Sequence, residues 1–373
     1  MGIGYRVFVR PMIRVQDSEK AHARALLMLR FLSSNPISRS ILSLLYRPRK
    51  KIPIQCFGQT YQHPFGNAAG LDKRAEGLRG WEAIGLSFIE IGGITEHEQK
   101  GNPKPRMFRA TPSRALINRM GFNNPGSQKV ALKLEQHFGK FGSPSVPLWA
   151  NLGKSKITPL EDAPNDYAQT MERLWNYCDV FVINVSSPNT PNLRELQHDE
   201  ALESIIKSCQ QVNQNKASSS NLKVKPLLIK IAPDLSDEQL AAVVNTARRA
   251  GCDGIIATNT TVERPDNFSK SEAKIFAETG GLSGAPLAKR STDMIHQIYS
   301  MTKGEWPIVG VGGIQTADDA WEKIGAGASL LQAYSGFVFE GAGLTRSIIN
   351  GLDKKMKEEG YSTLQEAIGF AHQ

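Results

Sequence analysis

The run VFVINVSSPNT, residues 180–190, starts as an apolar, β-branched stretch and ends in Asn184, Ser186, Ser187 and Asn189, with Pro188 fixing the backbone among them. Asparagine amides both donate and accept hydrogen bonds, which suits a small ring carrying amide groups. A serine hydroxyl is a poor base and moves a proton only through a hydrogen-bonded path. The same kind of ending recurs. Lys73 follows PFGNAAG, Asn151 and Lys154 end PLWANLG, Lys230 lies in LLIKIAP, and Thr258, Asn259 and Thr260 end GIIATNT. Any one of these is most simply a turn residue; so many together ask for a shared mouth.

Lys73 and Lys230 have no carboxylate close to them in sequence, and a buried ammonium needs anionic company. The turns GVGG (residues 310–313) and AYSG (residues 333–336) offer backbone N–H groups and the Ser335 hydroxyl to a phosphate, near the start of a short helix. GGLSG (residues 280–284) reads as a further flexible loop able to close over it. Flavin mononucleotide (FMN) meets both needs, its phosphate on the glycine turns and a lysine beside the reduced ring's negative charge. Two other nucleotide motifs fail: GVGGIQ has Gln315 in place of a third glycine, and GKS at residues 153–155 is preceded by Leu148 where a P-loop needs glycine.

Residues with these tasks need a frame that gathers strand ends. From Ile52 onward eight short apolar runs alternate with helical stretches: PFGNAAG, SFIEIGG, PLWANLG, VFVINVSS, LLIKIAP, GIIATNT, PIVGVGG and SLLQAYS. Strands alternating with helices imply a parallel sheet, and eight units imply an α/β fold of the closed (β/α)8 TIM-barrel type, with its site at the C-terminal strand ends. KIPIQCF and QTYQHPF before them read as a hairpin under the barrel.

The 373 residues, 40% of them hydrophobic, suffice for a large core. Cys56, Cys178, Cys209 and Cys252 have no metal-ligand spacing, so neither a metal site nor a disulfide framework is expected and a reducing compartment fits. No apolar run reaches the roughly 18 residues of a membrane span. Of the 45 basic and 36 acidic residues, 11 and 2 lie in residues 1–51; that segment carries the whole +9, and the rest balances at 34 of each. It reads as two helices, one starting at Ser18 with an N-cap signal and one after Asn35-Pro36. Leu26, Leu27, Leu29, Phe31, Leu32, Ile37, Ile41, Leu44 and Leu45 exceed one packed face, with Arg24, Arg30, Arg39 and Arg47 around them. Such a pair either lies on an anionic membrane, each basic residue contributing about 1 kcal/mol, or packs on its own domain. No motif accompanies the charge to support nucleic acid.

NAAGLDK, GNPKPRMFR, INRMGFNN, NVSSPNTP, KIAPDLS, ATNTT, GGLSGAPL, GVGGI and GASLLQAYSGF together resemble the quinone-dependent, membrane-associated dihydroorotate dehydrogenases, over nearly the whole chain. The resemblance implies an enzyme of pyrimidine biosynthesis with one FMN per chain, oxidising dihydroorotate to orotate and passing electrons to a membrane quinone. It implies Ser187 as catalytic base, and Lys73, Asn118, Met120, Gly121, Phe122, Asn184, Asn189, Asn259 and Thr260 around the substrate. Implied flavin contacts are Ala68, Ala69, Gly70, Lys73, Gly93, Asn118, Asn151, Asn184, Lys230, Thr258, Ser283, Gly284, Gly312, Gly313, Tyr334 and Ser335. His22, Arg109 and Tyr334 match positions lining a quinone tunnel. Residues 1–50 then form a membrane-touching helical segment and residues 51–373 the FMN-binding barrel. No obligate protein partner is implied, and the expected location is peripheral, on the cytoplasmic face of a bacterial inner membrane.

Four positions depart from the family pattern. Gly93 stands where a hydroxyl residue is usual, Ala285 where a basic one is common, and Asn67 and Trp149 are also unusual. The soluble class of the same dehydrogenases uses a cysteine base and lacks the N-terminal helices, so Ser187 and residues 1–50 argue against it. A dihydropyrimidine or IMP-type dehydrogenase is disfavoured by the lack of cysteine in the candidate loops. An inactive barrel serving as a membrane-surface module would not need Lys73, Ser187 and Lys230 together.

Overall fold

The computed structural model describes residues 16–373. The first 15 residues, which carry part of the basic segment, lie outside the described residues. Eight parallel strands close into a barrel in the order β3 (Phe65–Asp72), β4 (Ile89–Ile94), β7 (Leu148–Leu152), β8 (Val180–Asn184), β9 (Leu227–Ile231), β10 (Gly254–Ala257), β12 (Ile308–Val311) and β13 (Ala328–Ala333), with β13 returning to β3. These are the eight runs read from the sequence. Each is buried nearly end to end, because helices cover the sheet outside and side chains fill it inside. The covering helices are α3 (Leu78–Ala83), α4 (Ser127–Phe141), α5 (Ala163–Leu174), α6 (Asp199–Ser220), α7 (Asp237–Arg249), α9 (Ala288–Thr302), α10 (Ala317–Ala326) and α12 (Leu344–Glu358). Two short ones, α11 (Ser335–Glu340) and α13 (Leu364–Ala367), precede and follow α12. The hairpin β1 (Ile54–Cys56) and β2 (Gln59–Tyr61) closes the bottom, where Tyr61, Phe57, Phe88 and Trp149 pack edge and face.

Two insertions break the alternation at the top. β5 (Met107–Ala110) and β6 (Ala115–Asn118) follow β4, and β11 (Gly281–Gly284) follows β10; β11 and β5 flank β6 in a three-stranded antiparallel sheet. GGLSG is therefore a paired strand, not the flexible loop its glycines suggest. It is held by its backbone ladder to residues 115–118 and by its one large side chain, Leu282. Beneath this sheet Ala110, Ala115, Ile117, Leu282 and Phe276 of the short helix α8 (Ala273–Phe276) form a second small core. Arg264 pins the connecting segment through the carbonyls of Phe276, Glu278 and Gly280 at 2.8–3.1 Å.

At the N-terminus α1 (Ser18–Ser34) and α2 (Pro36–Tyr46) meet at Asn35, whose Oδ1 accepts from the Ile37 N–H at 2.8 Å. The α1 cap is Asp17, one residue before the expected Ser18; Asp17 Oδ1 accepts from Lys20 N–H at 2.9 Å, and Ser18 is already helical. A β-carbon on Gly80 would lie 2.4 Å from Leu29 and one on Gly77 3.0 Å from Leu26, so α1 sits tightly against α3. The hairpin thus packs on the barrel, yet Leu27, Phe31, Ile37 and Leu44 remain 64–74% exposed. No helix among the described residues is long and apolar enough to cross a membrane.

Candidate active site

The mouth of the barrel holds a cavity enclosing about 950 Å³, part of it continuous with solvent. Its wall includes Ala68, Ala69, Gly70 and Lys73 after β3, Gly93 of β4, and Asn118, Met120, Gly121 and Phe122 after β6. It continues through Asn184, Ser187 and Asn189 after β8, Lys230 of β9 and Thr258, Asn259 and Thr260 after β10. Ser283, Gly284, Gly312, Gly313, Tyr334 and Ser335 also line it. One substrate or flavin position read from the sequence, Asn151, lies one layer lower. Lys154, also read as a mouth residue, turns away, its ammonium held by the Ser155 and Thr158 carbonyls.

A chain of side-chain hydrogen bonds floors the cavity. Gln332 donates to Glu90 at 2.6 Å, Asn151 donates to Glu90 at 2.8 Å, Asn184 donates to Asn151 at 2.8 Å, and Asn259 donates to Asn184 at 3.1 Å. Glu90 also accepts from the Ala69 N–H at 3.2 Å, so its buried carboxylate supports the first cavity-lining turn. Glu90 and Gln332 escaped the sequence reading, although a glutamate in the middle of the apolar run SFIEIGG is a signal. Asn67, one of the unusual positions, bonds the Glu90 backbone through both amide atoms at 2.7 and 3.1 Å.

Ser187 is buried at the cavity wall, and its hydroxyl accepts from the Asn189 N–H at 3.3 Å. Asn189 in turn donates to Asn118 Oδ1 at 3.3 Å, and Asn102 donates to the Asn189 carbonyl at 3.0 Å. Behind this loop stands another residue the sequence did not reveal. Arg194 donates to the Ser186 carbonyl at 3.3 Å and the Thr260 carbonyl at 3.1 Å, and pairs with Asp234 at 2.8 Å, locking the loops after β8 and β10 together.

Burial pushes the Lys230 ammonium below its ordinary range, with Glu90 opposing. Lys73, which donates to Asn123 Oδ1 at 2.6 Å, is pushed down to about 7 by burial and by Arg106. Burial makes both cations costly, Glu90 and Glu19 offset the cost only in part, and an anion in the cavity would be favoured beside them. At the opposite end Gly312 and Gly313 have φ of +126° and +76°, and a β-carbon on Gly313 would lie 2.4 Å from Ala288. That closeness leaves open the backbone approach a phosphate needs.

At the cavity's edge, the ring of His22 lies parallel to that of the wall residue Tyr334 with centroids 6.2 Å apart, and Arg106 binds Glu19 of α1 through two hydrogen bonds of 2.7 and 3.1 Å. Arg109 is on β5, the strand beside this junction, and not on the cavity wall. Gly93 faces Phe122: a β-carbon there would lie 2.6 Å from the ring, so the hydroxyl residue usual at this position has no room. Trp149 belongs to the bottom cluster and Ala285 is exposed after β11, both away from the hydrogen-bonded floor.

The sequence matches the family described as dihydroorotate dehydrogenase over residues 52–356, the span that holds all eight barrel strands. The chain belongs to the dihydroorotate dehydrogenase family. It is 44% identical over 367 residues to the dihydroorotate dehydrogenase (quinone) of Gloeobacter violaceus, covering 98% of this chain and 99% of that protein. To the protein of the same name in Streptomyces avermitilis it is 43% identical, covering 98% of each. Among solved structures, ligand-free DHODH from Eimeria tenella aligns with a TM-score of 0.85 at 34% identity, covering 96% of this chain and all of that one. The E. tenella enzyme in complex with ferulenol aligns with a TM-score of 0.81 at 34% identity, covering 91% and 96%. Against this family background, the insertion sheet, the Glu90 floor and the Arg194 clasp are the parts that sequence motifs alone did not expose.

Proposed function

We propose that this chain is a dihydroorotate:quinone oxidoreductase, converting (S)-dihydroorotate to orotate in pyrimidine biosynthesis, with FMN in the mouth cavity. The observation that carries the reading is the meeting, in one cavity, of Ser187, the amides of Asn118, Asn184, Asn189 and Asn259, two buried lysines, and a glycine-lined end. When bound, FMN supplies the ring that accepts a hydride.

The chain's own groups supply the rest. The asparagine amides orient the substrate's ring, and Lys73 meets its carboxylate. Met120, Gly121 and Phe122 exclude water from the reacting face, together with Thr260 on the facing loop. Ser187 takes the proton from the carbon next to the one losing hydride and its hydroxyl proton leaves to solvent along a hydrogen-bonded path, since among the described residues no carboxylate or histidine is bonded to its Oγ. Lys230 holds charge near the flavin ring. Gly284, Gly312, Gly313 and Ser335, with Ser283, Thr258 and Tyr334 beside them, receive the phosphate end, while Asn151 supports the site from the floor.

The electron acceptor is a membrane quinone. The parallel His22 and Tyr334 rings mark its entry beside Arg109, and the exposed apolar residues of α1 and α2 bring that entry to lipid. Residues 1–50 thus serve as the membrane segment and residues 51–373 as the catalytic barrel, working without an obligate protein partner on the cytoplasmic face of a bacterial inner membrane. The test is to add dihydroorotate without oxygen to the yellow protein and follow its visible absorbance. Rapid bleaching is expected. A yellow protein that stays oxidised overturns the substrate, and a colourless one that takes up no FMN overturns the cofactor.

A further inference from the structure

We propose that Lys323, on α10 and outside the cavity, is a positioning residue that electrostatically supports the phosphate end of the flavin site. The inference rests on the FMN reading above.

Lys323 is wholly buried. Its ammonium donates to Ser291 Oγ at 3.0 Å, Thr292 Oγ1 at 3.0 Å and the Ala288 carbonyl at 3.3 Å, and among the described residues it makes no ion pair. All three partners are neutral dipoles from the first turns of α9. The Asp319, Glu322 and Asp293 carboxylates, none of them within ion-pair distance, only partly offset the cost of burying the ammonium, so a further anion nearby would favour its charged form.

The same α9 residues back the glycine turn. A β-carbon on Gly312 would lie 2.8 Å from Ser291, one on Gly313 would lie 2.4 Å from Ala288, and Ser291 Oγ donates to the Val311 carbonyl at 2.5 Å. A single layer of residues therefore separates the ammonium from the cavity end formed by Gly284, Leu287, Gly312, Gly313 and Ser335. The cationic side chains on the cavity wall, Lys73 and Lys230, come from β3 and β9, whereas this end is built from β11, β12 and β13. A doubly charged phosphate there would meet backbone donors and the Ser335 hydroxyl but, among the described residues, no cation directly. A charge one layer away acts through the low-dielectric packing between them without touching the ligand.

The experiment compares FMN with riboflavin, which has the ring but not the phosphate. Apoprotein is titrated with each flavin, following quenching of flavin fluorescence, for the wild type and for Lys323→Met. The expected result is a loss of FMN affinity of at least about 10-fold with riboflavin affinity unchanged. Equal losses for both flavins, or no loss for FMN, overturn the proposal and leave Lys323 a packing residue. If Lys323→Met does not fold, Lys323→Gln, which keeps a hydrogen-bond donor without the charge, is titrated in the same way. A loss for FMN that spares riboflavin supports the proposal. Equal losses, or none, overturn it. A wild-type apoprotein that binds neither flavin refutes the FMN reading itself, a separate outcome.

Discussion

The barrel mouth and the α1–α2 hairpin depart from ordinary globular packing in opposite directions. At the mouth, polar and charged groups are buried, and they are tolerable because the floor from Gln332 through Glu90, Asn151 and Asn184 to Asn259 satisfies them in series. On the hairpin, apolar side chains stand in the open, with Phe31 and Ile37 73% and 74% exposed, while Ala21, Leu26, Leu29, Leu42 and Tyr46 face inward. On the proposed function a polar ring and a lipid-dissolved quinone call for these opposite surfaces, and the stacked His22 and Tyr334 rings are where the hairpin meets the cavity wall.

The widest separation between the regions is expected from Ser187→Ala. Flavin absorbance should remain, while flavin reduction by dihydroorotate, followed by stopped flow without oxygen, slows roughly 10²- to 10⁴-fold. An unchanged rate removes Ser187 from the base role. His22 tests the joint. Burial and Lys73 lower its pKa from the usual 6.5 to about 4, so it is neutral when α1 is docked. The docked state then binds fewer protons than the undocked one, and docking stability is full above pH 6.5 and lost as pH falls through 4. The loss is at most about 3 kcal/mol. Hydrogen exchange of α1 between pH 7 and 4 should reveal this release, and His22→Gln should flatten it.

The hairpin alone is addressed by replacing Leu44 and Leu45 together with glutamate. Binding to anionic vesicles should weaken about 100-fold and long-chain quinone reduction fall with it, while flavin reduction by dihydroorotate is untouched. Equal loss of both half-reactions would erase the division between the regions. The mildest change is Arg194→Gln, which frees the loops after β8 and β10. It should raise the KM for dihydroorotate about 10-fold and leave vesicle binding as it was.

Much of this was legible because the barrel strands are short β-branched runs closed by glycine or polar residues, a local signal that needs no partner. The motifs at their ends were equally local, and nearly all of those residues line one cavity. What stayed hidden depends on distant pairing. β6 and β11 are four residues each and meet across more than 160 positions, and GGLSG carries no β-branched side chain to announce a strand. Glu90 and Arg194 were missed for the same reason. Their importance lies in Ala69, Gln332, Thr260 and Asp234, which no spacing along the chain brings near them.

The closing seam of the barrel has a further consequence for how the protein is made. The seam pairs Leu331 with Phe65 and Ala333 with Asn67, joining the last barrel strand to the first. Ala68 to Lys73 on one side of the cavity and Tyr334 and Ser335 on the other therefore leave the ribosome at opposite ends of synthesis. Until residues 328–335 emerge, the growing chain has an open sheet edge and half of the mouth cavity, so on the proposed flavin reading the cofactor finds its full pocket only after that point and does not guide earlier folding.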